Sequence, residues 1–184
     1  MSIIVESRRR RLENIQKDYP TATIIDVTSK GEQPWVKFSP FYPHGNIPVP
    51  FYPRWKSESV EGIWQGLKVF ETAGVDRAKM SNQDMKNIKR TVRKYGKCKG
   101  HSAGYTTLLG YLDARKLIYL PSYLWVLENP LADLVKELRK MSESQTVILL
   151  DYETNGEVEN CKKPLSHAYL IKYYVEGNYP IFEK

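Results

Sequence analysis

Residues 38–70 read FSPFYPHGNIPVPFYPRWKSESVEGIWQGLKVF, and the rest of the chain is organised around them. The first half packs five prolines (Pro40, Pro43, Pro48, Pro50, Pro53) and five aromatic rings (Phe38, Phe41, Tyr42, Phe51, Tyr52) into sixteen residues. Proline fixes φ, so this segment reads as a stiff loop that presents ring faces. The second half predicts a helix, because Val60, Ile63, Leu67 and Phe70 recur at spacings of three and four. At about 100° per residue, Gln65 falls about 40° from Glu61 and Lys68 about 20° to the other side. One helix face then carries an acid, an amide and an amine opposite the aromatic loop, as a pocket wall would. A solvated face is the other reading, since Glu61 and Lys68 are too far apart for an i,i+4 ion pair.

These residues resemble the signature of the NADAR N-glycosidase superfamily. The resemblance rests on Phe38-Ser39-x-Phe41 and Pro43, then Ser59-Val60-Glu61, Gln65, Lys68 and Phe70. In that superfamily an F-S-N-F loop with a following proline precedes S-x-E-H-x-x-Q-x-x-K-F on a helix. Pro40 stands here where the family has Asn, and Gly62 where it has His. The chain as a whole resembles an uncharacterised bacterial and phage family in Val5 to Arg10, this central stretch, Leu150 to Gly156 and Pro164 to Ala168. NADAR members hydrolyse N-glycosidic bonds to ribose, some releasing ADP-ribose from guanine and others acting on riboflavin-pathway intermediates. The resemblance implies that Glu61 is the essential carboxylate and Lys68 an amine near the ribose. Ser39, Phe41 and Gln65 would line the pocket, and Tyr42 and Trp64 belong to the same aromatic wall.

Composition sets the class. The 184 residues are 41% hydrophobic and 27% charged, which suits one compact domain with a sizeable core. No apolar run approaches the roughly 20 residues of a membrane helix, and Arg8 to Arg11 follow the first apolar residues too soon for a secretory leader. A cytoplasmic location is therefore expected. Cys98 and Cys161 give no disulfide framework, and His44, His101 and His167 are scattered, so neither a metal nor a cofactor is expected.

The net charge of +7 is uneven. Between Arg77 and Lys99 there are nine Lys/Arg and one acid, Asp84. Met85, Ile88, Val92 and Tyr95 predict an amphipathic helix, with Ser81 as N-cap and Gly96 as stop. Lys86, Lys89, Arg90 and Arg93 would then cover its outer faces as phosphate-binding groups. A pyrophosphate ligand and a DNA backbone suit such a patch equally, as does a solubilising role.

The remaining pattern predicts an α-rich α/β or α+β fold with a small sheet surrounded by helices, NADAR-like, over residues 1–184. Helices are expected over 7–18 (with Leu12 and Ile15 buried), 106–120, from Pro121, from Pro130 and over 166–175. Strands are expected at Ala22–Val27 and at Gln145–Asp151, the latter around Val147-Ile148-Leu149-Leu150. Gly100 to Gly104 reads as a flexible turn. Asp151 ends the buried strand, where open sheets place ligands, so it reads as a second catalytic carboxylate or as a cap for the turn at Asn155-Gly156. Asn155 and His167 are the accompanying substrate-binding candidates, with Ser166 as a helix N-cap that leaves His167 in the first turn. The function expected is hydrolysis of a base–ribose N-glycosidic bond in an ADP-ribosyl or ribosyl-phosphate substrate, ADP-ribosylated guanine in DNA among them. The alternatives are a nucleic-acid-binding module built on residues 77–99 and a protein that sequesters a nucleotide.

Overall fold

The computed structural model describes residues 1–183. In chain order its elements are β1 (Ser2–Ser7), α1 (Leu12–Asp18), β2 (Thr23–Asp26), β3 (Ile47–Val49), β4 (Tyr52–Ser57), α2 (Val60–Gly66) and β5 (Lys68–Phe70). They continue with α3 (Val92–Tyr95), β6 (Cys98–Ser102), β7 (Leu108–Leu109), α4 (Tyr111–Ala114), α5 (Leu120–Glu128), α6 (Ala132–Ser144), β8 (Thr146–Asp151) and α7 (His167–Val175). The fold is α+β, with small sheets and short helices. The chain divides into two compact units, residues 1–39 with 127–180, and residues 40–126 with the tail from 181.

In the first unit the apolar run of β8 becomes the middle strand of a parallel sheet, β1-β8-β2. Its register sets Ile3 beside Val147 and Ile25 beside Leu149. A central strand covered on both faces needs apolar residues on both, and Val147, Ile148 and Leu149 are fully buried. Ile15 of α1 closes on Ile148 and Leu150, with Ile4, Tyr19, Ala22 and Ile24 packed around them. Leu12, expected in the core, is 50% exposed. It is the first residue of α1, and residues 11–14 at that end of the helix all stand in water. Because the three strands are parallel, Arg8, Asp26 and Asp151 arrive at the same sheet end.

In the second unit the proline-rich segment is an antiparallel hairpin, β3-β4, with a register shift after Pro48 and Phe51 at φ 67° in its turn. Proline suits such an edge position because it leaves no donor unpaired. A second sheet follows in the order β5-β6-β7.

Four sequence expectations are corrected here. Lys68 is not on the helix, which ends at Gly66 with Leu67 as its cap; it starts β5. Gly100-His101-Ser102 is strand β6 rather than a flexible turn. The expected basic helix shrinks to the single turn Val92–Tyr95, closed at Gly96 (φ 79°). Before it, Met85 and Asn87 sit at φ 60° and 56°, outside the right-handed helical region. Asp84 accepts from the Lys86 N–H at 2.8 Å and the Asn82 amide donates to the Lys86 carbonyl at 2.7 Å, so side chains replace the helical ladder there. Finally, the helix before Pro121 does not stop. It passes from α4 through a π-helical turn, Arg115–Tyr119, into α5. A proline clashes with the carbonyl four residues back in an α-helix, and the wider turn just before it moves that carbonyl aside.

Candidate functional site

Helix α2 is fixed at its start by Ser59, whose Oγ accepts from the Gly62 N–H at 3.0 Å. The Glu61 N–H donates to the Pro40 carbonyl at 2.8 Å, tying the aromatic loop to the helix. Glu61 is 8% exposed, and its Oε1 accepts from the Gln65 amide, one turn on, at 2.7 Å. Gln65 in turn accepts from the Arg90 N–H at 3.0 Å. A Cβ at Gly62 would lie 2.6 Å from the Lys79 carbonyl and 2.9 Å from Ser57 Oγ. A side chain at this position therefore has no room.

Lys68 pairs with His101 in the antiparallel β5-β6 ladder, so the two side chains leave the sheet on one face. The Lys68 ammonium lies 5.9 Å from the centre of the Trp64 ring. The His101 ring lies tilted against the same indole, 3.9 Å between centres at 33°. Tyr111 and Tyr119 meet Trp64 edge-on at 5.7 and 5.6 Å. Burial lowers the Lys68 pKa, although the Glu61 carboxylate, and after it Cys98, pull the other way. Burial, followed by the charge of Lys68, brings His101 down to about 3. His101 is 1% exposed, and the Trp64 backbone gives its ring only a weak polar contact. It is a neutral imidazole held against the indole. Sequence reasoning missed it because the glycines on either side suggested a turn. The only signal was the alternation of Cys98, Gly100 and Ser102 with Lys99 and His101.

The predicted phosphate-binding residues separate. Arg90 turns inward and is 5% exposed. Its guanidinium donates to the carbonyls of Lys68 (2.7 Å), Gly74 (2.8 Å) and Gln65 (3.3 Å), between the rings of Phe70 and Tyr95. It binds the segment together rather than facing solvent. Lys86, Lys89 and Arg93 are exposed, and the Lys89 ammonium lies 5.7 Å from the centre of the Phe41 ring. Tyr42 packs on His44 at 4.9 Å. Ser39, in the first unit, is 2% exposed at the exit of a 3-10 turn, Trp35–Phe38.

Asp151, His167 and Asn155 all lie in the first unit. Asp151 Oδ2 accepts from Ser166 Oγ at 2.8 Å and the Ala168 N–H at 3.3 Å, and faces His167 Nδ1 at 3.0 Å. His167 Nε2 meets the Val27 carbonyl at 2.8 Å. A carbonyl only accepts, so Nε2 carries a proton, and the carboxylate favours a second on Nδ1. Burial opposes charge on His167, but Asp151 outweighs it and the pKa rises. Burial likewise pushes Asp151 up, yet the imidazolium and the hydrogen bonds bring it down to about 2. The pair joins the end of β8 to the start of α7 and the residue after β2. Asn155 organises the following loop, donating to the Asn160 and Lys163 carbonyls and accepting from the Glu157 N–H. These polar groups are occupied by one another.

Among the described residues, no helix is long and apolar enough to cross a membrane, and no three His, Cys, Asp or Glu side chains are grouped to hold a metal ion. No curated protein matches the chain. A family model does, over residues 7–171, most of the length: the chain belongs to a family of unknown function, DUF6939.

Proposed function

We propose that the protein hydrolyses an N-glycosidic bond between a base and the ribose of an ADP-ribosyl or ribosyl-phosphate substrate, at the wall formed by Glu61, Trp64, Gln65, Lys68 and His101. One observation carries this reading. A buried carboxylate held by a glutamine stands in electrostatic reach of an amine whose proton is loosened by burial. The resemblance to NADAR N-glycosidases supports it from the sequence side.

The chemistry asks for both groups. As the carbon–nitrogen bond breaks, its electron pair leaves with the base and positive charge builds on the ribose. The Glu61 carboxylate stabilises that charge and takes a proton from the attacking water. Gln65 fixes the rotamer of Glu61. Lys68, once neutral, serves as base or as nucleophile toward ring-opened ribose. Trp64 offers the base a stacking neighbour, and the exposed Lys86, Lys89 and Arg93 attract phosphate. Arg90 serves the scaffold in this account, and Asp151, Asn155 and His167 hold the first unit together.

The test is incubation of the protein with ADP-ribosylated guanine in DNA, ADP-ribosylated mononucleotides, NAD and riboflavin-pathway ribosyl intermediates, read by mass spectrometry. Release of a free base or of ADP-ribose from one of them supports the reading. A panel left intact, with the protein folded, counts against it.

A further inference from the structure

The net positive charge of the chain is confined to one unit. Residues 40–126 hold fourteen Lys/Arg against six Asp/Glu, a net of +8, and Glu183 and Lys184 cancel. The rest of the chain nets −1, within a total of +7. Pairing differs as well. In the first unit Arg8 meets Asp26 at 2.6 Å, and Arg10 meets Glu6 at 2.8 Å and Asp18 at 2.5 Å. Among the described residues of the second unit nine Lys and Arg side chains are exposed. Among the described residues, none of those nine forms a salt bridge. Unneutralised like charges oppose compactness, and one pyrophosphate offers far fewer negative charges than this surface has positive ones. The surface is suited to a polyanion.

Aromatic rings are interleaved with these cations. The Arg77 guanidinium lies 4.5 Å from the centre of the Trp55 ring, on β4 between exposed Arg54 and Lys56. Trp55 stacks on Tyr52, 4.1 Å between centres at 12°. Tyr105 meets Tyr52 edge-on at 6.0 Å and is itself 93% exposed. An ordered array, Arg77–Trp55–Tyr52–Tyr105, thus ends in a ring almost wholly in water. Tyr105 is the ring of this array open to a base, and a base-accepting ring beside cations that accept phosphates meets the two requirements for holding a single strand, whereas a duplex hides its base faces.

We propose that this array is a single-stranded polynucleotide-binding surface. It does not depend on the glycosidase reading, because binding is measured without turnover. The experiment is fluorescence anisotropy of the full chain with a labelled 15-nucleotide oligothymidine and a 15-base-pair duplex, from 50 to 300 mM salt. The expected result is tighter binding of the single strand, weakening steadily with salt. Tyr105→Ala should weaken it by about 5- to 100-fold, the loss of one stacked base. Arg54→Glu with Lys56→Glu should lower the log–log salt slope by about 1.4, two phosphate contacts at about 0.7 each. Lys140→Glu with Lys162→Glu, in the other unit, should stay within about twofold of wild type. No binding at 50 mM salt, a preference for duplex, wild-type affinity in Tyr105→Ala, or an equal loss in the Lys140/Lys162 variant would each overturn the proposal. Tyr105 is nearly fully exposed, so its variant keeps the fold and the comparison stands.

Discussion

Lys68 and His101 face each other across the β5-β6 ladder, and both lie against the Trp64 ring. The charge of Lys68 helps keep His101 unprotonated, while burial lowers the pKa of both. Both side chains lie against one indole, and Lys68 is within electrostatic reach of the Glu61 carboxylate.

His101 carries a stability cost under acid. Its folded pKa, about 3, lies below its usual 6.5, so its contribution is fully present above pH 6.5 and is lost as pH falls toward 3. His101→Phe keeps a ring against Trp64 and removes the titration. Urea midpoints at pH 7 and 4.5 should fall less between the two values in the variant than in wild type. Equal falls would show that His101 is not the buried neutral base described.

The Asp151–His167 pair has the opposite pH signature at its histidine. The raised His167 pKa gives stability that is present below pH 6.5 and lost as pH rises through the folded value. Asp151, lowered from 3.8 to about 2, contributes above pH 3.8 and loses that contribution as pH falls through about 2. Asp151→Asn leaves the imidazolium buried without its counter-charge and should cost about 3–5 kcal/mol near pH 6. The difference from wild type should narrow as pH rises above 6.5. Chemical denaturation across that range checks both statements.

Arg90 replaces the missing helix as the organiser of residues 84–95. Arg90→Met removes donors to three backbone carbonyls and should cost about 2–4 kcal/mol. Hydrogen exchange should quicken in that segment first. Unchanged protection there would contradict the role given to the guanidinium.

Gly62 is held by crowding. Gly62→Ala should destabilise by about 1–3 kcal/mol, because the Lys79 carbonyl stands 2.6 Å from the new Cβ. A thermal melt within error of wild type would show that the backbone yields there.

How much of this was legible depended on whether a local pattern or a distant partner decided the outcome. β8 and the body of α2 could be read directly from Val147 to Leu150 and from the stripe of Val60, Ile63 and Leu67, although Lys68 and Phe70, expected on the same helix, belong to β5. The Ser166 cap was legible for the same local reason. The 81–95 helix was misread because Met85, Ile88, Val92 and Tyr95 keep a helical spacing, whereas Asp84 and Asn82 impose turns and Val92 ends 65% exposed. β1 was not read as a strand, because Ile3 to Val5 are short and their partner, β8, lies about 140 residues away in sequence. Arg90 looked like a surface cation, since the three carbonyls that turn it inward come from elsewhere in the chain. His101 was hidden by Gly100, which in the fold lets the Leu109 carbonyl approach.

The most direct test of the central claim compares wild type with Glu61→Gln on whichever ribosyl substrate the wild type cleaves, by single-turnover mass spectrometry. Gln keeps the shape beside Gln65 and removes the negative charge. The account predicts a loss of at least about 100-fold in the cleavage step with the fold intact, as for removal of an electrostatic stabiliser. Cleavage by Glu61→Gln at the wild-type rate would contradict it.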